Sequence, residues 1–127
     1  EEHHQFVLVS GRPDVAEFNV AQQLSFIVES LDELRAMRDR VVAAELEIER
    51  SVTHGNAWSI YFNDPEGNYV EVYVHTPWYI PQPHGHPFDL DQPEAEIVRQ
   101  TEAHCRAHEG FMPTAEREAE MRRMMGL

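Results

Sequence analysis

A carboxylate stands in the middle of a run that otherwise reads as a buried strand, Tyr69-Val70-Glu71-Val72-Tyr73-Val74. Strands avoid a central carboxylate unless that face meets water, a partner or a metal. Alternation with a period of two puts Glu71 on one face with Tyr69 and Tyr73. In the run over residues 56–62 the same face holds Ala57, Ser59 and Tyr61, and in residues 20–28 it holds Gln23 and Ser25. Glutamine, serine, tyrosine and glutamate together can bind a polar ligand, move protons or hold a cation. Two histidine pairs carry further potential. His104 and His108 lie four residues apart on a helix-like stretch, and His84 and His86 flank Gly85. Imidazoles at these spacings could bind a metal, but no third ligand is evident beside either pair, so both read as solvated surface. Cys105 lacks a catalytic context and reads as helix core.

The elements that must carry these groups can be read from pattern. Residues 63–67, Asn-Asp-Pro-Glu-Gly, are turn chemistry: Pro65 presets φ and Gly67 supplies positive φ at no steric cost. They join residues 56–62 and 68–74 into a hairpin. Upstream, residues 3–9 and 20–28 read as strands, the second with Leu24, Phe26 and Val28 on its apolar side. Ser30 and Glu33 form a Ser-x-x-Glu capping box that opens a helix over residues 31–46. Leu34, Met37, Val41 and Val42 are its expected buried stripe. Residues 47–53 form a weaker strand, so the order from residue 20 is β-α-β-β-β. Trp58, Ile60, Phe62, Val70, Val72 and Val74 complete an apolar face for the helix to cover. The opposite, polar face is a half-open cup. This predicts an α+β fold.

Beyond Val74 the chain changes character. Residues 75–87, rich in proline and aromatics, read as an extended strap. A helix from Asp91 to about His108 follows, with Asp91 as its cap and Pro93 in its first turn. A last helix over residues 113–125 offers Met121, Met124 and Met125 for packing against the body or another subunit.

The 127 residues carry a formal charge of −13, with ten arginines and no lysine. That field repels phosphate backbones and argues against nucleic acid and anionic membranes as partners. No apolar run approaches the roughly 20 residues needed to span a bilayer. The single cysteine suits a reducing compartment, with cytoplasm as the default. The chain opens close to a strand without an initiator methionine, which suggests that sequence precedes Glu1.

The β-α-β-β-β order, the cupped polar face and the string from Ser59 to Tyr73, SIYFNDPEGNYVEVY, resemble the vicinal oxygen chelate superfamily of glyoxalases, bleomycin-resistance proteins and extradiol dioxygenases. The resemblance covers about residues 3–79 and is nearest to catechol 2,3-dioxygenase-like members. In that superfamily paired modules close a cup around one divalent metal. The resemblance divides the chain into residues 1–10, the last strand of a preceding module, residues 20–79, one full module, and residues 80–127, a strap with C-terminal helices. It places Glu71 as a metal ligand and Gln23 at the first-strand position, where extradiol enzymes carry histidine. It places His4 beside bound dioxygen, and His54 and Tyr61 against the substrate. It implies Fe(II), with Mn(II) or Zn(II) as alternatives, a small aromatic substrate such as a catechol, and a homo-oligomer or a second module to complete the cup. Gln23 also suits two other activities in the superfamily. One is a glyoxalase-type metalloenzyme; the other is a metal-free binding protein of bleomycin-resistance type.

Overall fold

The computed structural model describes residues 22–127. Within them β1 (Leu24–Ile27), α1 (Leu31–Ala43), β2 (Ile48–Thr53), β3 (Ala57–Asn63) and β4 (Tyr69–His75) form the expected β-α-β-β-β unit. After it come β5 (Trp78–Tyr79), β6 (His86–Pro87), α2 (Glu94–Arg106), β7 (Met112–Pro113) and α3 (Thr114–Met124). The main sheet runs β1-β4-β3-β2-β6, with β1 parallel to β4 and every other pairing antiparallel. The first strand thus lies beside the last strand of its own module, so Gln23 and Ser25 come next to Glu71. The expected strand over residues 3–9, and with it His4, lies outside the described residues.

The hairpin between β3 and β4 is held at its tip by Asp64. Its carboxylate accepts from the backbone N–H of Glu66 and Asn68 at 2.9 and 2.8 Å, and from Asn68 Nδ2 at 2.7 Å. Gly67 takes φ of 79°, the left-handed conformation the turn requires. Cross-strand register then pairs Tyr61 with Glu71, Ser59 with Tyr73 and Ile60 with Val72. The apolar face of Trp58, Ile60, Phe62, Val70, Val72 and Val74 is buried, and it packs with Leu31, Leu34 and Val41 of α1. Ser30 caps that helix, its Oγ accepting from Glu33 N at 3.1 Å.

Four expectations need correction. Val42 is 56% exposed, because it lies off the Leu34–Val41 line on the helix, and Leu31 takes its place in the core. Phe26 is 47% exposed, because α1 leans on β4 and β3. The second helix starts at Glu94, with Pro93 rather than Asp91 at the cap position. No residue of α3 is buried, and Met121, Met124 and Met125 all face solvent rather than the body.

The strap is more than a loose cover. Its β6 pairs with β2, setting Thr53 against His86 and Val52 against Pro87, while β5 pairs with β7. Buried Trp58 donates through Nε1 to Thr101 Oγ1 at 2.9 Å, which ties α2 to the sheet. Arg35 donates to the carbonyls of Leu90 and Gln92 at 3.1 and 2.9 Å, tying α1 to the start of the helical extension.

Candidate functional site on the open face of the sheet

Glu71 is the hub of the open face. Its side chain is 12% exposed, and its two oxygens collect four donors, two from β3 and two from β1 and the residue before it. Oε1 accepts from Ser59 Oγ at 2.8 Å and from Tyr61 OH at 2.5 Å. Oε2 accepts from Gln23 Nε2 and Ser25 Oγ, each at 2.7 Å. Burial alone would push the Glu71 carboxyl pKa up. The hydrogen bonds from Tyr61, Ser25 and Ser59, with the nearby His54, outweigh burial and hold it below the usual carboxylate range. The anion is thus the stable form of Glu71.

Tyr61 links the carboxylate to an imidazole. Its hydroxyl lies 2.7 Å from His54 Nε2, and the other ring nitrogen, His54 Nδ1, lies 2.7 Å from the backbone carbonyl of His84. A carbonyl only accepts, so Nδ1 must carry a proton. If Tyr61 donates to Glu71, its contact with His54 needs a proton on Nε2 as well. The line Glu71–Tyr61–His54 therefore connects a carboxylate to an imidazole through one hydroxyl. Tyr61 itself stays a neutral phenol, because burial and the adjacent anion of Glu71 raise its pKa well above the ordinary tyrosine range.

Arg50 is a residue that strand alternation does not single out. A bulge between Ile48 and Arg50 shifts the phase of β2 and pairs Arg50 with Tyr61. The guanidinium sits 4.5 Å from the Tyr61 ring centroid and donates through Nε to Tyr69 OH at 3.0 Å. Tyr61 and Tyr69 stack with centroids 5.5 Å apart. The Tyr69 ring and the Arg50 cation thus cover the buried ring of Tyr61 on the open face.

Of the expected site residues, Gln23, His54, Tyr61 and Glu71 come together on this face, and His4 lies outside the described residues. Gln23 turns its amide NH2 to Glu71 and to Ser25 Oγ, the latter at 2.8 Å. To bind a cation its amide would have to rotate and present oxygen. Glu71 Oε2 and that amide oxygen are two neighbouring oxygen donors at an exposed rim, a set that accepts a hard or borderline divalent ion. Among the described residues no group of three histidine, cysteine or acidic ligands surrounds Glu71.

Such a group exists elsewhere. His84, His86 and His104 converge, which corrects the reading of the two histidine pairs as separate solvated surface. The sequence carried the ligands, but their meeting depends on how the strap crosses α2.

A model of the Glyoxalase/Bleomycin resistance protein/Dioxygenase superfamily matches residues 1–72, more than half of the chain. The solved structure of a glyoxalase/bleomycin resistance protein/dioxygenase from Nocardioides is similar at 24% identity and a TM-score of 0.39. The match covers 52% of this chain and 46% of that one, so this chain spans about half the length of that protein. No curated protein matches the chain. With its β-α-β-β-β unit and its carboxylate on the open face, the chain belongs to the Glyoxalase/Bleomycin resistance protein/Dioxygenase superfamily.

Proposed function

We propose that the open face is half of a metal-dependent active site, and that the protein is an extradiol-type dioxygenase acting on a small aromatic diol such as a catechol. The observation that carries this reading is the Glu71–Tyr61–His54 line, which joins a candidate metal ligand directly to two proton-handling groups. Glu71 would hold Fe(II), with Gln23 beside it. The metal, when bound, supplies chelation of the diol and activation of dioxygen. Mn(II) and Zn(II) fit the same oxygen donors.

The chain's own residues do the rest. Neutral His54, with its Nδ1 proton anchored on the His84 carbonyl, would present Nε2 to take a hydroxyl proton from the diol when the diol displaces the Tyr61 hydroxyl from it. Tyr61, a neutral phenol, would donate to the oxyanion left behind when its hydroxyl turns from Glu71. Tyr69 and Arg50 offer a stacking surface that orients the ring. His4 is assigned the oxygen side of the same site. Completing the cup falls to a second module or a second copy of the chain, and the lone, buried cysteine fits a reducing cytoplasm.

The test is to reconstitute the full-length protein with Fe(II) and supply catechols in air. Yellow ring-opened products are expected, with activity lost in Glu71→Ala. No product across several catechols would overturn the proposal. One observation favours a second reading, a metal-free binding protein. Four protein donors already satisfy Glu71, and Gln23 faces it with nitrogen. Tight binding of an aromatic ligand by metal-stripped protein, unchanged when Fe(II) is added, would support that second reading.

A further inference from the structure

The strap and α2 build a second cluster with ligand chemistry, away from Glu71. His84 and His86 come from the strap, and His104 from the inward side of α2, one residue before the fully buried Cys105. One potential ligand atom from each of the three lies within 4.8 Å of the others. The Nε2 atoms of His84 and His104 are 2.9 Å apart. Three imidazole nitrogens on one tetrahedral ion, each at about 2.0–2.1 Å from it, lie about 3.3 Å from one another. The rings therefore need only small rotations to share an ion.

Two more observations point the same way. His86 Nδ1 is buried and has no hydrogen-bond partner among the described residues. A buried, unpaired ring nitrogen is costly, and a cation that accepts its lone pair removes the cost. The rings are also packed closely at tilted angles: the centroids of His86 and His104 are 4.4 Å apart, and those of His84 and His104 are 4.9 Å apart.

We propose that His84, His86 and His104 bind one divalent transition-metal ion, with Zn(II) as its natural occupant. Three imidazoles select the nickel–copper–zinc end of the first row over magnesium or calcium. The fourth position goes to water or to His108, whose ring centroid lies 5.0 Å from His84. The ion is a clip that fastens the strap to α2. Because the His84 carbonyl accepts from His54 Nδ1, the clip also fixes the imidazole of the open face. The site is separate from the one proposed at Glu71 and does not depend on it.

The experiment is titration of metal-stripped protein with Co(II) and Zn(II). Binding is followed by the visible absorption of tetrahedral cobalt, by its displacement with zinc, and by elemental analysis. Wild type and Glu71→Ala are both expected to show the tetrahedral spectrum and to retain zinc. His104→Ala and His84→Asn are expected to lose the spectrum and to bind at least tenfold more weakly. Zinc should raise the melting temperature of wild type and of Glu71→Ala, but not of His104→Ala. Circular dichroism establishes that each variant is folded. A spectrum that survives in folded His84→Asn and His104→Ala, or one that disappears in Glu71→Ala, would overturn the proposal. So would wild type that takes up no cobalt.

Discussion

At the scale of single residues, the open face is governed by the charge on Glu71. The pKa of Glu71 is lower in the folded protein than in the unfolded chain, so its stabilising contribution is present above the ordinary carboxylate value of 4.5. It is lost as pH falls through the lower folded value. Glu71→Gln keeps the shape but weakens four charge-assisted hydrogen bonds. It is expected to lose about 1.5–3 kcal/mol near neutrality, with the gap to wild type narrowing below pH 4.5. Urea unfolding across a pH series measures this, and a gap independent of pH would contradict the role assigned to the carboxylate. Tyr61 has the opposite sign. Its folded pKa is raised, so its contribution is whole below the ordinary tyrosine value of 10.0 and fades as pH climbs above it. In an ultraviolet titration Tyr61 should ionise after the other tyrosines, and Tyr61→Phe should remove that late step. The importance of Glu71 was legible from the strand alone, since an acidic residue amid Val-Glu-Val needs a reason. Arg50 was not, because a bulge decides its face and bulges leave little trace in residue type.

At the scale of elements, close approach is what sets the strap against the sheet. Gly55, between β2 and β3, adopts φ of 79°, and a methyl group there would sit 2.6 Å from two side-chain carbons of Ile80. Ile80 is fully buried beside Cys105, so it has no room to yield. Gly55→Ala therefore combines left-handed strain with overpacking and is expected to cost about 2–4 kcal/mol. A thermal melt checks this, and a variant as stable as wild type would show that the strap is not seated there. Gly85 plays a milder part, with its added carbon 3.0 Å from Val52 Cγ1 and 3.3 Å from His54 Nδ1. The elements themselves were largely legible. The Asp-Pro-Glu-Gly turn, the Ser30 cap and the alternating faces all follow from local chemistry. The stripe of α1 shifted from Val42 to Leu31, because the line of contact depends on how a helix lies on its sheet.

At the scale of the whole molecule, the formal charge of −13 is a field that opposes compaction. Many local ion pairs, such as Arg35 with Asp32 and Arg99 with Glu96, are exposed at the surface and offset little of it. Added salt screens that self-repulsion within about 8–10 Å. Raising sodium chloride from low to physiological strength should therefore raise the melting temperature of metal-stripped protein by a few degrees. A fall on adding salt would mean that paired charges, rather than net repulsion, dominate. Among the described residues no helix is long and apolar enough to cross a membrane.

Residue order alone determined the β-α-β-β-β module, its two-faced sheet and the carboxylate on the open side. Those depend on periodicity, caps and turns, which act within a few residues. Tertiary structure alone decided three further things. It laid β1 against β4, so that Ser25 and Gln23 reach Glu71 across an interval of more than forty residues. It turned Arg50 onto the open face. It also folded the strap over α2, so that His84 and His86 meet His104. Each of these joins residues far apart in sequence, and only the packing of the chain chooses which of them become neighbours.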